Sequence, residues 1–132
     1  MKGTFASGGE EANHTAILSA LVQLFTDFDR KGIRGLESQP TLYVSSQSHH
    51  SLLKAARFCG LGTDAVREVP VNEDFQMDVK ALASHISKDR SAGSTPFMVV
   101  ATGGTTNAGI VEPIAEIADV AADEGLWFHV NH

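Results

Sequence analysis

Cysteine is almost absent. Cys59 is the only one among 132 residues, which excludes an internal disulfide and a thiolate metal cluster. Long apolar runs are missing too: nothing approaches the roughly 20 residues a membrane-spanning helix needs, and the opening MKGTFASGGEEAN has no apolar signal-peptide core. The expected compartment is therefore the cytoplasm, with no membrane partner. Basic residues are outnumbered, 10 Lys+Arg against 16 Asp+Glu for a net charge of −6, and no block of one sign occurs. That balance disfavours a nucleic-acid or anionic-membrane surface. Internal repeats, low-complexity stretches and linkers are likewise missing. The remainder, 42% hydrophobic and 20% charged, is ordinary composition for one domain with a core, suited to small-molecule chemistry or binding.

The spacing of apolar residues sets an alternating pattern. From Glu11 to Phe28, the residues Ala12, Ala16, Ile17, Ala20, Leu21, Leu24, Phe25 and Phe28 recur every three or four positions and predict an amphipathic helix. Asp29 to Pro40 reads as a surface connection. Leu42–Ser45 is a short buried strand, Ser51–Cys59 a helix stopped by Gly60 and Gly62, Val66–Val71 a second strand, and Asp78–Ser87 a third helix. Phe97–Ala101 (FMVVA) is a strand covered on both faces. Glu112-Pro113 opens a fourth helix, Gly125 closes it, and Leu126–Val130 is the last strand. Strands alternating with helices in this way predict an α/β fold with a mainly parallel sheet. Such a sheet places its ligand site beyond the carboxyl ends of its strands, which here are residues 45–50, 102–107 and 131–132.

Four segments near that edge carry candidate chemistry. Ser7-Gly8-Gly9-Glu10-Glu11-Ala12-Asn13 leads a glycine pair into a helix start, where free N–H groups and the helix dipole suit a phosphate; its bland reading is a helix cap. It is neither a nucleotide P-loop nor a dinucleotide fingerprint, since the Lys-Ser/Thr or third glycine is missing. Ser45-Ser46-Gln47-Ser48-His49-His50-Ser51 offers a histidine able to lie on an aromatic ring or carry a proton, though an exposed loop histidine is the plainer reading. Ala101-Thr102-Gly103-Gly104-Thr105-Thr106-Asn107-Ala108-Gly109 places hydroxyls on a glycine-permitted turn that could bond a ligand; its bland reading is a β-turn. Trp127 to His132 brings a polar pair out of a buried strand. His129 reads as half-buried within that strand, and no metal set is expected because His129 and His132 alone give no tetrahedral ligand group.

In this order, the segments SGGEEAN, SSQSHHS, ATGGTTNAGIVEPI and LWFHVN resemble the phosphate loop, ring-stacking histidine, Gly-Thr-Thr turn and ring-nitrogen strand of the group II amino acid decarboxylases. These are pyridoxal-phosphate enzymes of fold type I. The resemblance implies a partial three-layer α/β sandwich, residues 1–132 forming an incomplete cofactor-binding large domain. It implies pyridoxal 5'-phosphate as cofactor, an amino acid as substrate and a homo-oligomer as the working form. Gly8, Gly9 and Glu10 would cradle the phosphate, His49 would stack on the ring and be the catalytic candidate, Thr106 (or Thr105) would sit beside the ring, and Asn131 would face its nitrogen. Two positions depart from the family pattern. Glu10 stands where a small hydroxyl residue is usual, and Asn131 where the family has an aspartate that keeps the ring nitrogen protonated. The family's Schiff-base lysine lies downstream of this strand, so the short chain alone is expected to be inactive.

A different class is also open: a non-catalytic α/β module that binds an anion or a protein through its glycine-rich helix start. Aminotransferases and other fold type I enzymes share the same frame. In either case a parallel sheet needs helices on both faces, and a partial one exposes more apolar surface than a monomer tolerates. The chain should therefore self-associate or take a partner, whereas a monodisperse monomer in sedimentation with a cooperative melt at low concentration would contradict this.

Overall fold

The computed structural model describes residues 9–46, 48–103 and 112–131, with side chains from residue 11 onward within those ranges. Its elements are α1 (Gly9–Leu24), α2 (Phe28–Lys31), β1 (Pro40–Ser45), α3 (His49–Phe58), β2 (Val66–Val69), α4 (Val79–Ser91), β3 (Thr95–Thr102), α5 (Ile114–Glu124) and β4 (Trp127–Asn131). The strands form one parallel sheet in the order β2-β1-β3-β4. This is the α/β alternation with a parallel sheet expected from the sequence.

Two-residue alternation along the strands divides the core in two. Leu42 and Val44 of β1 and Met98 and Val100 of β3 face α1 and α3, where Ile17, Leu21, Leu52 and Ala56 are fully buried. Tyr43, Val99 and Ala101 face the other way, onto Leu82 and Ile86 of α4 and Ile117 and Ala121 of α5. The central strands β1 and β3 are thus covered on both sides, which is why they read as unbroken apolar runs. Helix ends follow local chemistry. The Asp78 carboxylate accepts the N–H groups of Lys80 and Ala81 at 3.0 and 3.1 Å, capping α4. Gly125, at φ +71°, takes the left-handed turn that ends α5.

Some boundaries differ from expectation. The predicted first helix is two: α1 ends at Leu24, and α2 starts at the buried Phe28, the last residue of the predicted helix, and runs into the supposed surface connection, followed by a 3-10 turn over Gly32–Gly35. β2 stops at Val69 rather than Val71, because Pro70 has no N–H to offer the ladder; Val71 instead makes an isolated antiparallel bridge to Met77. α3 begins two residues early, at His49, which places that side chain on the first turn of a helix rather than in a loop.

One partly buried polar network crosses the layers. The Tyr43 hydroxyl donates to Asp89 Oδ2 of α4 at 2.7 Å and is 2.8 Å from Thr41 Oγ1, with Arg67 Nε of β2 3.5 Å from the same carboxylate oxygen. Burial, reinforced by Asp89, raises the phenol pKa well above its ordinary value, so the hydroxyl stays protonated and donates. A Tyr43→Phe substitution removes this partner from the fully buried Thr41 hydroxyl and from Asp89, which keeps Arg67. It should cost about 1–3 kcal/mol, read as a lower urea midpoint at unchanged slope; an unchanged midpoint would show that the network contributes nothing net.

Candidate active site at the carboxyl edge of the sheet

All four strands run the same way, so β1, β3 and β4 bring their last residues, Ser45, Thr102 and Asn131, to one edge. Thr102 pairs directly with Asn131 in the β3–β4 register. By alternation with Val100 and His129, both side chains lie on the α1/α3 face. α1 runs opposite to the strands: Asn13 near its start meets His129 of β4, while Phe25 beyond its end packs edge-on against Phe97 near the start of β3. Its N-terminus, at Gly9 and Glu10, consequently points to the same carboxyl edge. α3 starts there as well, directly after β1.

A set of buried hydrogen bonds ties these ends together. Ser48 Oγ is 2.6 Å from Thr102 Oγ1, and both residues are 5% exposed. The Asn131 amide donates from Nδ2 to Ser48 Oγ at 3.3 Å. The Gly103 N–H donates to the Asn131 carbonyl at 2.7 Å, fastening β3 to β4 just past their last pair. His49, next to Ser48, has Nδ1 3.7 Å from Glu68 Oε2 of β2, and its side chain is mostly buried. Further along, the carboxylate of Glu112, 3% exposed, accepts the Met77 N–H, and the Glu112 N–H donates to the Thr102 carbonyl. This anchors the start of α5 against the end of β3.

His129 and Asn13 form a second tie. Asn13 is 1% exposed, and its Oδ1 lies 3.2 Å from His129 Nε2. Burial lowers the imidazole pKa below its ordinary value of 6.5, so the ring is neutral at neutral pH. Because an amide oxygen only accepts, Nε2 carries the proton in this pair. The bond holds the second turn of α1 against the strand that ends in Asn131.

The expected site residues thus divide into three groups. His49 and Asn131 stand at the same carboxyl edge, Asn131 bonded to Ser48 and His49 following Ser48 in the chain with its ring toward Glu68 of β2, and Gly9 and Glu10 are the first two residues of α1. Gly8, Thr105 and Thr106 lie outside the described residues. Sequence reasoning gave no role to Ser48, Thr102 or Asn13, and read His129 merely as half-buried. The signal for Thr102 and Asn131 was present in the two-residue period that puts them on one face with Val100 and His129. Nothing in the sequence marks Asn13 as the partner of His129, 116 positions away. Among the described residues, no group of three or more His, Cys, Asp or Glu side chains is placed to hold a metal.

Three comparisons bear on this geometry. The family profile "Pyridoxal-dependent decarboxylase conserved domain" matches residues 1–132. Cysteine sulfinic acid decarboxylase of Rattus norvegicus is 42% identical over 98% of this chain and 26% of its own length. L-2,4-diaminobutyrate decarboxylase of Rhizobium meliloti is 36% identical over 98% of this chain and 24% of its own length. The crystal structure of mouse CSAD in apo form superposes with a TM-score of 0.93 at 41% identity, covering 98% of this chain and 27% of that one. The chain therefore spans about a quarter of the length of the relatives it matches.

The buried neutral histidine sets a sign for pH dependence. A folded pKa below the unfolded value means that the unfolded chain binds the extra proton first, so His129 favours folding above the unfolded pKa and that share is lost as pH falls through the folded one. Unfolding free energy should decline as pH falls through and below the ordinary imidazole value of 6.5, and His129→Gln should flatten part of that decline. Identical profiles for the two proteins would refute the assignment.

Proposed function

The chain belongs to the pyridoxal-dependent decarboxylase family, and from that premise we propose that it supplies the cofactor-holding face of an enzyme that removes the α-carboxylate of an amino acid as carbon dioxide. The observation that carries this reading is the convergence of the α1 N-terminus, His49 and Asn131 on one sheet edge. The donor set suits pyridoxal 5'-phosphate. A helix N-terminus presents N–H groups and a positive dipole end to a phosphate, an imidazole offers a flat face to a heteroaromatic ring, and an amide can hydrogen-bond a ring nitrogen.

In this reading Gly8, Gly9 and Glu10 hold the phosphate through their backbone N–H groups. His49 covers the ring, its imidazole steadied from the β2 side by Glu68. Thr106 lies beside the ring, and Asn131 meets its nitrogen. When bound, the cofactor supplies an electron sink for bond cleavage at the substrate's α-carbon. The chain's own contribution is to hold and shield. Buried Ser48 and Thr102 close the floor of the edge to water, which strengthens every polar contact made above them. Glu10 adds a like charge near the phosphate.

The relatives act on substrates of opposite side-chain charge by their names, a sulfinic acid and a diamino acid, so the shared frame leaves the substrate side chain open. No helix among the described residues is long and apolar enough to cross a membrane. A cytoplasmic setting, an amino acid substrate and a homo-oligomer complete the proposal. A non-catalytic anion-binding module is the second reading, favoured by one observation: the described lysines, Lys31, Lys54, Lys80 and Lys88, are all exposed.

Pyridoxamine 5'-phosphate, which has no aldehyde to react with surface lysines, is a clean probe, and Trp127 is the only tryptophan. Saturable quenching of Trp127 that inorganic phosphate competes away is expected; no change at millimolar ligand would contradict the reading. Asn131→Asp should tighten binding about tenfold, because a charged acceptor replaces a neutral one at the ring nitrogen. Unchanged affinity would remove Asn131 from the ring-nitrogen role.

A further inference from the structure

Ser48 occupies the N-cap of α3, yet its side chain makes no capping hydrogen bond. A serine there ordinarily accepts an N–H from the first helical turn, an interaction that contributes about 1 kcal/mol, and Asp78 does this at the start of α4. The Ser48 backbone is held on both sides, its N–H donating to the Ser45 carbonyl at 3.2 Å and its carbonyl accepting the Leu52 N–H at 3.3 Å. The hydroxyl is turned the other way, into the sheet edge, where it is 2.6 Å from Thr102 Oγ1 and accepts from Asn131 Nδ2 at 3.3 Å. Helix capping is forgone for a contact with Asn131.

An aspartate at position 131 would present two equivalent acceptors. Asparagine presents two different ends, one that donates and one that accepts, so in this chain something must choose between them. We propose that Ser48 is a positioning residue that engages the Nδ2 end of Asn131 and thereby commits the Oδ1 end to the ligand, so that the site takes a heteroaromatic ring whose nitrogen carries a proton. This rests on the ring-nitrogen role given to Asn131 above. Nδ2 and Oδ1 diverge on the planar amide, so holding one against Ser48 turns the other away from it. An acceptor there pairs with a ring N–H, whereas a bare ring nitrogen would set two lone pairs against each other. A neutral amide held in this way recovers part of what a carboxylate does at that position, favouring the protonated ring without a formal charge. Thr102 completes the arrangement: its hydroxyl, 2.6 Å away, can accept the serine proton, which leaves the lone pairs of Ser48 Oγ to Asn131 Nδ2.

The test compares two ligands differing only at the ring nitrogen, pyridoxamine 5'-phosphate and its 1-deaza analogue, which has a C–H there. Their affinities are read from Trp127 quenching in the wild-type chain, Ser48→Ala and Ser48→Thr, with circular dichroism confirming that each is folded. The wild type should prefer the nitrogen-containing ligand. Ser48→Ala should shrink that preference about two- to tenfold, and Ser48→Thr, which keeps the hydroxyl, should restore it. A serine with a merely structural role would weaken both ligands alike and leave the ratio unchanged, and that result overturns the proposal. Equal wild-type affinities for the two ligands also overturn it while leaving cofactor binding intact. Wild-type failure to bind either ligand overturns the functional reading itself, and this inference with it.

Discussion

The hydrogen bond between the Ser48 and Thr102 hydroxyls, 2.6 Å long and buried, joins the turn after β1 to the end of β3, and the candidate site is built around it. Parallel pairing brings the carboxyl ends of the strands to one edge but leaves the side chains there with polar groups to satisfy. An unpaired hydroxyl at that depth would cost about 1–3 kcal/mol. Pairing the two hydroxyls removes that cost, gives Asn131 an acceptor, and sets His49 at the first turn of α3. The apolar layers beneath restrain the strand ends: β1 and β3 are covered by helices on both faces, so moving their ends disturbs both halves of the core.

Neutral polar groups dominate the edge. Ser48, Thr102, Asn131, Asn13 and the neutral His129 all interact by hydrogen bonds that require no buried charge, which avoids the large desolvation cost of burying ions. The charged groups nearby, Glu68 beside His49 and Glu10 at the α1 start, lie toward the rim or at a helix end where a carboxylate is tolerated. The exception is Glu112, buried with its carboxylate on the Met77 N–H, which holds the approach to α5 rather than the ligand side.

Much of this frame was legible in the sequence, for identifiable reasons. FMVVA could only be a doubly covered strand, and Pro113 and Gly125 bracket α5 by backbone chemistry alone. The two-residue period placed Asn131 on the same face as His129 once the strand was recognised. Other features depend on contacts that no local pattern encodes. Phe28 looked like the end of one helix because its spacing fits, but its burial in the core starts another. The tie between Asn13 and His129 joins the two ends of the chain, and the departure of Ser48 from its expected capping bond is visible only when Thr102 and Asn131 stand beside it. A serine before a helix reads as a cap, and here the sheet edge outcompetes that preference.

The central claim is that one ligand bridges the α1 N-terminus and Asn131. Its most direct measurement is a titration with pyridoxamine 5'-phosphate followed by two-dimensional nitrogen–proton NMR. The account predicts that the backbone amides of Gly9 and Glu10, the amide of His49 and the side-chain amide of Asn131 shift together with a single dissociation constant, and that inorganic phosphate moves only the first pair. Shifts confined to the helix start, identical for both ligands, would contradict it.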